Sequence, residues 1–254
     1  MELNGTVAVI TGGGTGIGAA CGEAFARAGA AAVLVGYSRS VDEAEQTAQR
    51  LRELGAEGSA AVFMDVRDEA AVRAVAAAAV AEHGRVDVLV NNAGTTDATP
   101  WDDLEDITDA AWDEVLDVNL RGAFRCTRAL APALREAGGA VVNISSIAGH
   151  RAGGSSVVYG VSKAALLQLT RSLARVLAPQ VRVYSVSPGA VATRWLTRVF
   201  DEAAVERASA DTRRTPLGRL ARPEHVAQVV VGLLGMDLVT GEDVIVDAGR
   251  SILY

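Results

Sequence analysis

The chain has 254 residues, half of them hydrophobic, and a formal net charge of −7. That length and apolar content suit one large domain with a single core rather than two small ones. The acidic balance argues against a nucleic-acid partner, because phosphate binding needs clustered cations on a basic face. We therefore expect a single domain over residues 1–254 with no nucleic-acid surface.

The sequence indicates neither a membrane span nor a disulfide framework. No window of 18 uninterrupted apolar residues occurs, and the amino-terminal segment lacks the basic and apolar regions of a secretory signal. The two cysteines, Cys21 and Cys126, lie in Ala-rich helical patterns and are too few to staple loops. We expect a cytoplasmic protein in a reducing compartment, with no membrane contact and no metal site.

Short β-branched runs alternate with longer Ala-rich stretches of helical period along the chain. The runs are VAVIT from Val7, AVLVGY from Ala32, AAVFMDV from Ala60, VDVLVN from Val86, AVVNIS from Ala140, VRVYSVS from Val181 and DVIVDA from Asp243. The helical stretches cover about 16–28, 41–54, 68–82, 109–136, 159–177 and 223–234. This alternation predicts an α/β, Rossmann-type doubly wound fold, with a seven-stranded parallel sheet and helices on both faces.

One long segment carries no strand signal. Residues 190–222 mix Trp195, Leu196 and Phe200 with charged side chains. In a compact domain, a connection of that length is more often a lid or a binding loop than a passive linker. We predict a substrate lid there.

Glycines crowd the turn between the first predicted strand and the first predicted helix, in TGGGTGIGAA at 11–20. Glycine lets backbone amides approach a phosphate and adopts φ values closed to other residues. In an α/β sheet, this turn is where a dinucleotide pyrophosphate binds the helix N-terminus. The spacing of Gly14, Gly16 and Ala19 fits G-x-G-x-x-G/A, and no Gly-Lys-Ser/Thr follows to make a P-loop. A dinucleotide site is predicted, with a merely flexible glycine turn as the alternative.

Further blocks in register give the chain a resemblance to the short-chain dehydrogenase/reductase family, and to its 3-oxoacyl-carrier-protein reductase-like members. The blocks are Thr11-Gly12-x-x-x-Gly16-x-Gly18, NNAG at 91–94, Asn119 in DVNLRG, Ser146 in NISSIAG, Tyr159 with Lys163 in YGVSK, SPGAVAT at 187–193 and RPEHVA at 222–227. The resemblance therefore runs over nearly the whole chain. It implies an oxidoreductase that transfers a hydride between a nicotinamide cofactor and a carbonyl or secondary alcohol.

Tyr159 and Lys163 lie one helical turn apart at the start of a predicted helix, so their side chains share a face. A phenol with a pKa of about 10 is a poor acid or base at neutral pH, and an adjacent ammonium favours its phenolate. The pair predicts a proton donor and acceptor. A helix-start tyrosine beside an exposed lysine is the alternative.

The resemblance assigns the catalytic set to Asn119, Ser146, Tyr159 and Lys163. Ser146 stands thirteen residues before Tyr159, a spacing that favours it over Ser145, and its hydroxyl is expected to bond the substrate oxygen. Asn119 interrupts a helical stretch, so it is either exposed or has an interior partner. By resemblance, Asn119 holds the lysine through water, and Lys163 also binds the nicotinamide ribose hydroxyls.

The resemblance also implies a cofactor-binding set. Its members are Gly12, Gly14, Thr15, Gly16, Ile17, Gly18, Tyr37, Ser38, Arg39, Ser40, Asp65, Val66, Asn92, Ala93, Gly94, Tyr159, Lys163, Pro188, Gly189, Val191 and Thr193. Asp65 resembles the residue that contacts the adenine amine, and Asn91 belongs to the block beside the adenine ribose. Pro188, Gly189 and Thr193 resemble the loop that closes around the nicotinamide.

The end of the second strand bears on the choice between NAD(H) and NADP(H). A NAD site has an acid there, whose carboxylate bonds the ribose hydroxyls and repels a 2′-phosphate. This chain has Tyr37 instead, followed by Ser38, Arg39 and Ser40, and a guanidinium suits a phosphate. We predict NADP(H). NAD(H) stays open, because Arg39 in an exposed loop is the alternative and an acid follows at Asp42.

Substrate contacts are predicted at Ser146, Ile147, His150 and Trp195, with Trp101, Arg151 and Phe200 in the same walls. This mixture admits a β-ketoacyl thioester, a sugar-like ketone or a bulky apolar ketone. A lone loop histidine is more often a solvated polar group than a substrate contact. A non-catalytic dinucleotide sensor on the same scaffold remains the alternative function.

The carboxyl-terminal region departs from the family pattern. VDAGRS places Ala248 where an Asp-Gly-Gly turn is usual, and LLGMDLVTG looks shorter than usual. Because this region commonly supports the lid and the subunit contacts in the family, both details leave it open how the lid is supported and which residues make subunit contacts. The resemblance implies a homo-oligomer, most simply a tetramer, and the small residues of 109–136 and 159–177 permit close helix contacts.

Overall fold

A computed structural model of the chain describes residues 1–97, 99, 101, 103–194 and 215–253. Within these ranges, seven parallel strands form one sheet in the order β3-β2-β1-β4-β5-β6-β7. They are β1 (Val7–Ile10), β2 (Ala32–Tyr37), β3 (Ala60–Phe63), β4 (Val88–Asn91), β5 (Ala140–Ile144), β6 (Arg182–Pro188) and β7 (Asp243–Val246). The strand order reverses direction between β1 and β4, so the predicted doubly wound fold is confirmed.

The helices begin and end within two residues of their predicted bounds, apart from the stretch over 109–136. They are α1 (Gly16–Arg27), α2 (Val41–Glu53), α3 (Glu69–His83), α4 (Asp109–Leu116), α5 (Ala123–Ala137), α6 (Val157–Leu177) and α7 (Pro223–Gly235). The expected single helix over 109–136 is divided into α4 and α5 by a π-helical segment, Asp117–Gly122. That segment carries Asn119.

Two hydrophobic cores lie on opposite faces of the sheet. Along β1, Ala8 and Ile10 face the first core, which α1, α2 and α7 cover. Val9 faces the second core, which α3, α5 and α6 cover. Because both faces are buried, the strands are hydrophobic at nearly every position rather than at every second one.

The two cysteines are free thiols, Cys21 in the first core and Cys126 in the second. Burial raises the pKa of each thiol to about 12, so neither is a thiolate near neutral pH. Over the ranges that the structure describes, no group of His, Cys, Asp and Glu side chains is arranged to hold a metal ion. Within the same ranges, no helix is both long and apolar enough to cross a membrane.

The third strand is shorter than the predicted run AAVFMDV. Phe63 pairs with Tyr37, the last residue of β2, and the final ladder bond runs from the Met64 amide to the Tyr37 carbonyl at 2.7 Å. Beyond that point β2 offers no partner, and the chain turns, with the Asp68 amide donating to the Asp65 carbonyl at 3.0 Å. Asp65 therefore lies at the carboxyl edge of the sheet.

The side chain of Asn91 is buried. Strand alternation turns its side chain into the interior on the face of Leu89, where Nδ2 donates to Asn143 Oδ1 at 2.8 Å and to Thr127 Oγ1 at 3.2 Å. Asn143 in turn donates to Thr170 Oγ1 at 2.9 Å. The Asn91 side chain therefore does not line the cleft at the carboxyl edge of the sheet but ties β4 and β5 to α5 and α6, and the place of its block beside the adenine ribose stays a prediction.

The described ends of the predicted lid, 190–222, are joined to each other. Val191 and Ala221 form an isolated parallel bridge, and the Ala192 amide donates to the Ala221 carbonyl at 3.0 Å. Trp195, Leu196 and Phe200 lie outside the described residues. The two described ends of the segment therefore lie side by side, next to the end of β6.

The turn after β7 supports the second end of that segment. Ala248 has a φ of 59°, in the left-handed region, and its carbonyl accepts from the Leu217 amide at 3.1 Å. At Gly249, a Cβ would lie 2.8 Å from Pro216 Cγ. The chain thus keeps the left-handed turn with an alanine, at a cost of roughly 1–2 kcal/mol.

Replacing Ala248 by glycine should stabilise the fold. Glycine adopts the left-handed conformation without strain, but it also raises the conformational entropy of the unfolded chain, which offsets part of the stabilisation. We therefore expect the free energy of unfolding to rise by about 0.5–1 kcal/mol. Urea titration measures the change. The same substitution at Ala77, exposed on α3, should instead cost about 1 kcal/mol. Equal losses in the two variants would contradict the strained turn.

Candidate active site

A long cleft runs along the carboxyl edge of the sheet, at the point where the strand order reverses. Residues from every predicted part of the site line it: Gly12, Gly14, Thr15, Gly16, Ile17, Tyr37, Ser38, Arg39, Ser40, Asp65, Val66, Asn92, Ala93, Gly94, Ser146, Ile147, Tyr159, Lys163, Pro188, Gly189, Val191 and Thr193. Gly18 lies just behind this surface.

The turns that follow β1 and β4 are bonded to each other. Thr11 Oγ1 accepts from the Asn92 amide at 3.0 Å and from the Ala93 amide at 2.9 Å. Asn92 Nδ2 donates to the Thr11 carbonyl at 3.0 Å and to the Gly12 carbonyl at 2.8 Å. These four bonds fix the shape of the glycine turn where it borders the cleft.

Glycine is required in this turn for two separate reasons. Gly12 has a φ of 61°, which is left-handed. Gly18 lies in the first turn of α1, where a Cβ would come within 2.6 Å of the Gly12 carbonyl oxygen. A side chain at either position would therefore deform the turn, whatever else the turn binds.

The N-terminus of α1 suits an anionic ligand. Thr15 is the N-cap residue, but its side chain caps none of the helix amides, and the first turn holds no acidic residue. The positive end of the helix dipole and its amides are therefore left facing the cleft. Together with the open glycine turn, this arrangement fits a dinucleotide pyrophosphate.

The far end of the cleft is bounded by the segment after β2 and by Asp65. Arg39 is exposed and lines the cleft, and within the described part of the chain its guanidinium has no hydrogen bond or ion pair. Asp65 is held by Arg67, with contacts of 3.0 Å and 2.7 Å, and this hydrogen bonding lowers the pKa of the Asp65 carboxyl. Arg67 thus binds Asp65 directly, whereas Arg39 acts on the same carboxyl only through its charge.

The start of α6 brings Tyr159 and Lys163 to the cleft. Ser156 caps this helix by accepting from the Tyr159 amide at 3.1 Å, and α6 begins at Val157, two residues earlier than predicted. Lys163 Nζ lies 5.6 Å from the centroid of the Tyr159 ring and donates to the Ile144 carbonyl at 2.8 Å. The lysine side chain is buried, which excludes the alternative of an exposed lysine.

Ser146 follows β5 and faces Tyr159. Its Oγ accepts from the Ala148 amide at 3.1 Å, which caps a short 3₁₀ turn at Ile147–Gly149, and its side chain hydrogen bonds the Tyr159 phenol. Ser145 is buried and donates instead to the Lys163 carbonyl at 3.0 Å. The structure therefore puts Ser146, rather than Ser145, in contact with the phenol.

Asn119 is buried in the π-helical segment, so the alternative of an exposed asparagine does not hold. Its Oδ1 accepts from the Thr95 amide at 2.8 Å, and its Nδ2 donates to the Thr95 carbonyl at 2.9 Å and to Ser162 Oγ at 3.0 Å. Asn119 thus joins the loop after β4 to α6 beside Lys163. Its water link to the lysine stays a prediction.

Comparison with known proteins agrees with this geometry. A family model described as enoyl-(acyl carrier protein) reductase matches residues 12–251. The chain is 35% identical to the 3-oxoacyl-[acyl-carrier-protein] reductase of Thermotoga maritima, over 99% of this chain and all of that protein. It is 41% identical to the galactitol 2-dehydrogenase of Rhizobium johnstonii, over 98% and 96% of the two. A crystal structure of a short-chain type dehydrogenase/reductase from Mycobacterium marinum matches with a TM-score of 0.87 at 30% identity, over 98% and 97%.

The chain belongs to the short-chain dehydrogenase/reductase family. It is therefore an oxidoreductase that binds a nicotinamide dinucleotide, and its relatives include 3-oxoacyl reductases. The cleft described above fits that cofactor, because the free helix N-terminus, the glycine turn and the polar segment after β2 lie along one edge.

The pKa of Tyr159 differs from the sequence prediction, and the pKa of Lys163 is also shifted. The Tyr159 ring is partly exposed to the cleft, yet desolvation raises its pKa to about 12, against an opposing effect of the Ser146 hydrogen bond. Burial lowers the pKa of Lys163 to about 8. The sequence predicted that the ammonium would lower the tyrosine pKa, but desolvation is the largest effect on the phenol and raises its pKa. At neutral pH the phenol is therefore a neutral proton donor.

The predicted substrate residues have different outcomes. His150 does not line the cleft, and its Nε2 hydrogen bonds Asp243 Oδ2 at 2.8 Å, a contact that sequence reasoning missed. Trp195 lies outside the described residues. Ile147 and Arg151 do line the cleft, and Trp101 Nε1 donates to the Gly154 carbonyl at 3.2 Å at its margin.

The composition of the chain also singles out Lys163. Lys163 is the only lysine of the chain, and the other 23 of its 24 cationic side chains are arginines. An arginine is not interchangeable with lysine here, because a guanidinium stays charged and needs more room. A single lysine in a chain that otherwise uses arginine marks the position as one that depends on an ammonium.

The shifted pKa of Lys163 can be measured directly. In protein labelled with [ε-13C]lysine, Lys163 gives the single side-chain NMR signal, and we expect its titration midpoint near pH 8 rather than 10.5, because burial disfavours the charged form. The ammonium should therefore predominate below that midpoint and disappear above it. A midpoint above pH 10 would show that Lys163 is solvated.

Proposed function

We propose that this short-chain dehydrogenase/reductase is an NADP(H)-dependent carbonyl reductase, which also oxidises the corresponding secondary alcohol, with Tyr159 as its acid and base. One observation carries the proposal. Tyr159 faces the cleft as a neutral phenol, hydrogen bonded to Ser146 and 5.6 Å from the ammonium of Lys163. These are the groups that a carbonyl oxygen needs when it gains charge and a proton.

The bound nicotinamide would supply the hydride, and residues of the chain would do the rest. Ser146 and Tyr159 donate hydrogen bonds to the carbonyl oxygen, and these bonds strengthen as negative charge develops there. Tyr159 then transfers its phenolic proton to that oxygen, and Lys163 stabilises the phenolate that remains. Asn119 keeps the loop after β4 against α6, so that Lys163 stays beside the phenol. Oxidation of the alcohol follows the same path in reverse.

The names of the relatives support chemistry at an oxygen-bearing carbon. One relative is a 3-oxoacyl reductase and another is a galactitol dehydrogenase, so a ketone and its alcohol are common to both. Near Tyr159 the cleft is lined by small side chains and by Ile147 and Arg151. We propose a ketone substrate and screen NADPH oxidation with β-ketoacyl thioesters, sugar-like ketones and apolar ketones. A dinucleotide sensor would bind NADPH but would not oxidise it with any of these ketones.

Tyr159→Phe tests the proposed acid. The variant keeps the ring and loses the proton, so kcat should fall by about two orders of magnitude or more, while the Kd for NADPH stays near that of the wild type. Tyr184→Phe is the matched control, because that hydroxyl donates to the Met236 carbonyl at 2.9 Å, away from the cleft. A Tyr159→Phe enzyme with near-native kcat would rule out the assignment.

Cofactor choice is proposed to depend on the segment after β2. Tyr37 stands where a NAD site has a carboxylate, and the exposed guanidinium of Arg39 lines the cleft between the hydroxyls of Ser38 and Ser40. The nearest acid along the chain, Asp42, lies in the first turn of α2. An uncommitted guanidinium with neighbouring hydroxyls suits the 2′-phosphate of NADP(H).

Arg39→Ala should weaken NADPH binding by about tenfold to a hundredfold, the usual effect of losing a charge-assisted hydrogen bond. NADH has no 2′-phosphate, so its Kd should change little. Tyr37→Asp should reverse the preference, because it adds a ribose acceptor that repels phosphate. Arg175→Ala, at the last turn of α6, is the control. The role of Arg39 would be refuted if the wild type bound NADH more tightly than NADPH. It would also be refuted if Arg39→Ala lost equal affinity for both cofactors.

We also propose that the protein is a homo-oligomer, most simply a tetramer. Apolar side chains are exposed on the two helices next to the cleft, with Phe124 on α5 and Val161 and Val176 on α6. Exposed apolar positions on neighbouring helices are suited to contact with a second copy. Light scattering at micromolar concentration should give four times the chain mass, and a monomer mass would contradict the proposal.

A further inference from the structure

Asp243, the first residue of β7, has three hydrogen-bond donors around one carboxylate. Oδ1 accepts from Ser185 Oγ at 2.5 Å and from Ser187 Oγ at 2.8 Å, and Oδ2 accepts from His150 Nε2 at 2.8 Å. The Asp243 side chain is only 10% exposed. Because a carboxylate can only accept, the proton of the imidazole is on Nε2.

This carboxylate joins two segments that line the cleft. Ser185 and Ser187 lie on β6, which ends at Pro188 and continues into Gly189, the loop expected to close around the nicotinamide. His150 ends the turn that begins with Ser146, the residue bonded to the Tyr159 phenol. One side chain therefore sets the position of the substrate-side turn relative to the nicotinamide-side loop.

The turn between Ser146 and His150 packs on α6 on one side and is tied to the sheet by His150 on the other. Inside it, the Gly149 amide donates to the Ser146 carbonyl at 2.9 Å and the His150 amide to the Ile147 carbonyl at 3.0 Å. On one side it packs so closely on α6 that a Cβ at Gly149 would lie 2.8 Å from the Lys163 carbonyl carbon. The His150 side chain fixes its other end to the sheet.

The cluster resembles a Ser-His-Asp triad in composition but not in geometry. Ser187 is fully buried and donates to Asp243, so its hydroxyl cannot attack a substrate. In a triad the imidazole would lie between the serine and the carboxylate, with one nitrogen for each. Here a single nitrogen, Nε2, makes the 2.8 Å contact with Asp243 and a longer 3.3 Å contact with Ser187. A hydrolytic role is therefore excluded.

We propose that His150 and Asp243 are positioning residues, which hold Ser146 at the correct distance from the nicotinamide loop for reduction of the carbonyl. The inference rests on the proposed function. It replaces a direct substrate contact of His150 by an indirect role, exerted through the turn. A displacement of Ser146 by a fraction of an ångström or more would weaken its bond to the substrate oxygen without removing any group that binds the cofactor.

His150→Leu removes the bond to Asp243 and keeps a side chain of similar size at a position where 30% of the side chain is exposed. We expect kcat to fall about tenfold to a hundredfold, with the Kd for NADPH within about twofold of the wild type. His150→Gln, whose amide can donate to the same carboxylate, should recover most of the lost kcat. His83→Leu, at the last turn of α3 on the opposite edge of the sheet, is the matched control.

Asp243→Asn and the double variant with His150→Leu test whether both residues act through one contact. An asparagine has one acceptor oxygen, so it cannot serve the two serines and the histidine as before. If the pair acts through that contact, the double variant should lose no more kcat than the worse single variant. Multiplied losses would mean that His150 acts elsewhere and would overturn the proposal.

Hydrogen exchange of the cofactor-free protein separates this inference from the proposed function. In His150→Leu, the amides of Gly149 and His150 should exchange at least about tenfold faster, while amides of the strands and the melting temperature change little. Lost kcat with unchanged exchange would mean a direct substrate contact and would overturn the proposal, as would faster exchange with unchanged kcat. If the wild type reduces no carbonyl, the proposed function fails, and the exchange rates still decide whether His150 holds the turn.

Discussion

The hydrogen bonds that Thr11 and Asn92 make connect the turns that follow β1 and β4, where the strand order of the sheet reverses. They determine where the glycine turn ends and where the next loop begins. Two residues beyond Asn92, Gly94 lies beside Asn119 and Lys163, so that a Cβ there would be 3.5 Å and 3.8 Å from their polar atoms. The glycine turn and Lys163 are thus positioned by one continuous set of short contacts.

Burial at this edge sets the chemistry as well as the shape. Desolvation keeps Tyr159 protonated and lowers the pKa of Lys163 to about 8, so that at neutral pH a neutral phenol lies beside an ammonium. A buried ammonium lowers the stability of the folded chain, and such a cost is typical of functional sites. The use of the single lysine of the chain at this position agrees with a requirement for a compact cation.

Features that depend on local pattern could be predicted from the sequence. Alternation of apolar runs and helical stretches predicted the sheet, and helical spacing predicted that Tyr159 and Lys163 share a face. The choice of Ser146 as the partner of the phenol came from the family resemblance. Features that depend on distant partners could not. β3 ends where β2 ends, Asn91 turns inward to Asn143, and His150 meets a carboxylate 93 residues away. The π-helical segment around Asn119 has no periodic signal, because it spans only six residues.

The proposed reaction transfers a hydride from the bound nicotinamide to a carbonyl carbon, while Tyr159 supplies the proton to the carbonyl oxygen. Its most direct test is a single turnover with NADPH deuterated at both C4 positions, in ordinary water, with a ketone found in the screen. Mass spectrometry or NMR of the product alcohol should show one deuterium on the carbinol carbon, and the NADP+ that forms should keep the other deuterium at C4. A product alcohol without deuterium on its carbinol carbon would contradict this hydride transfer.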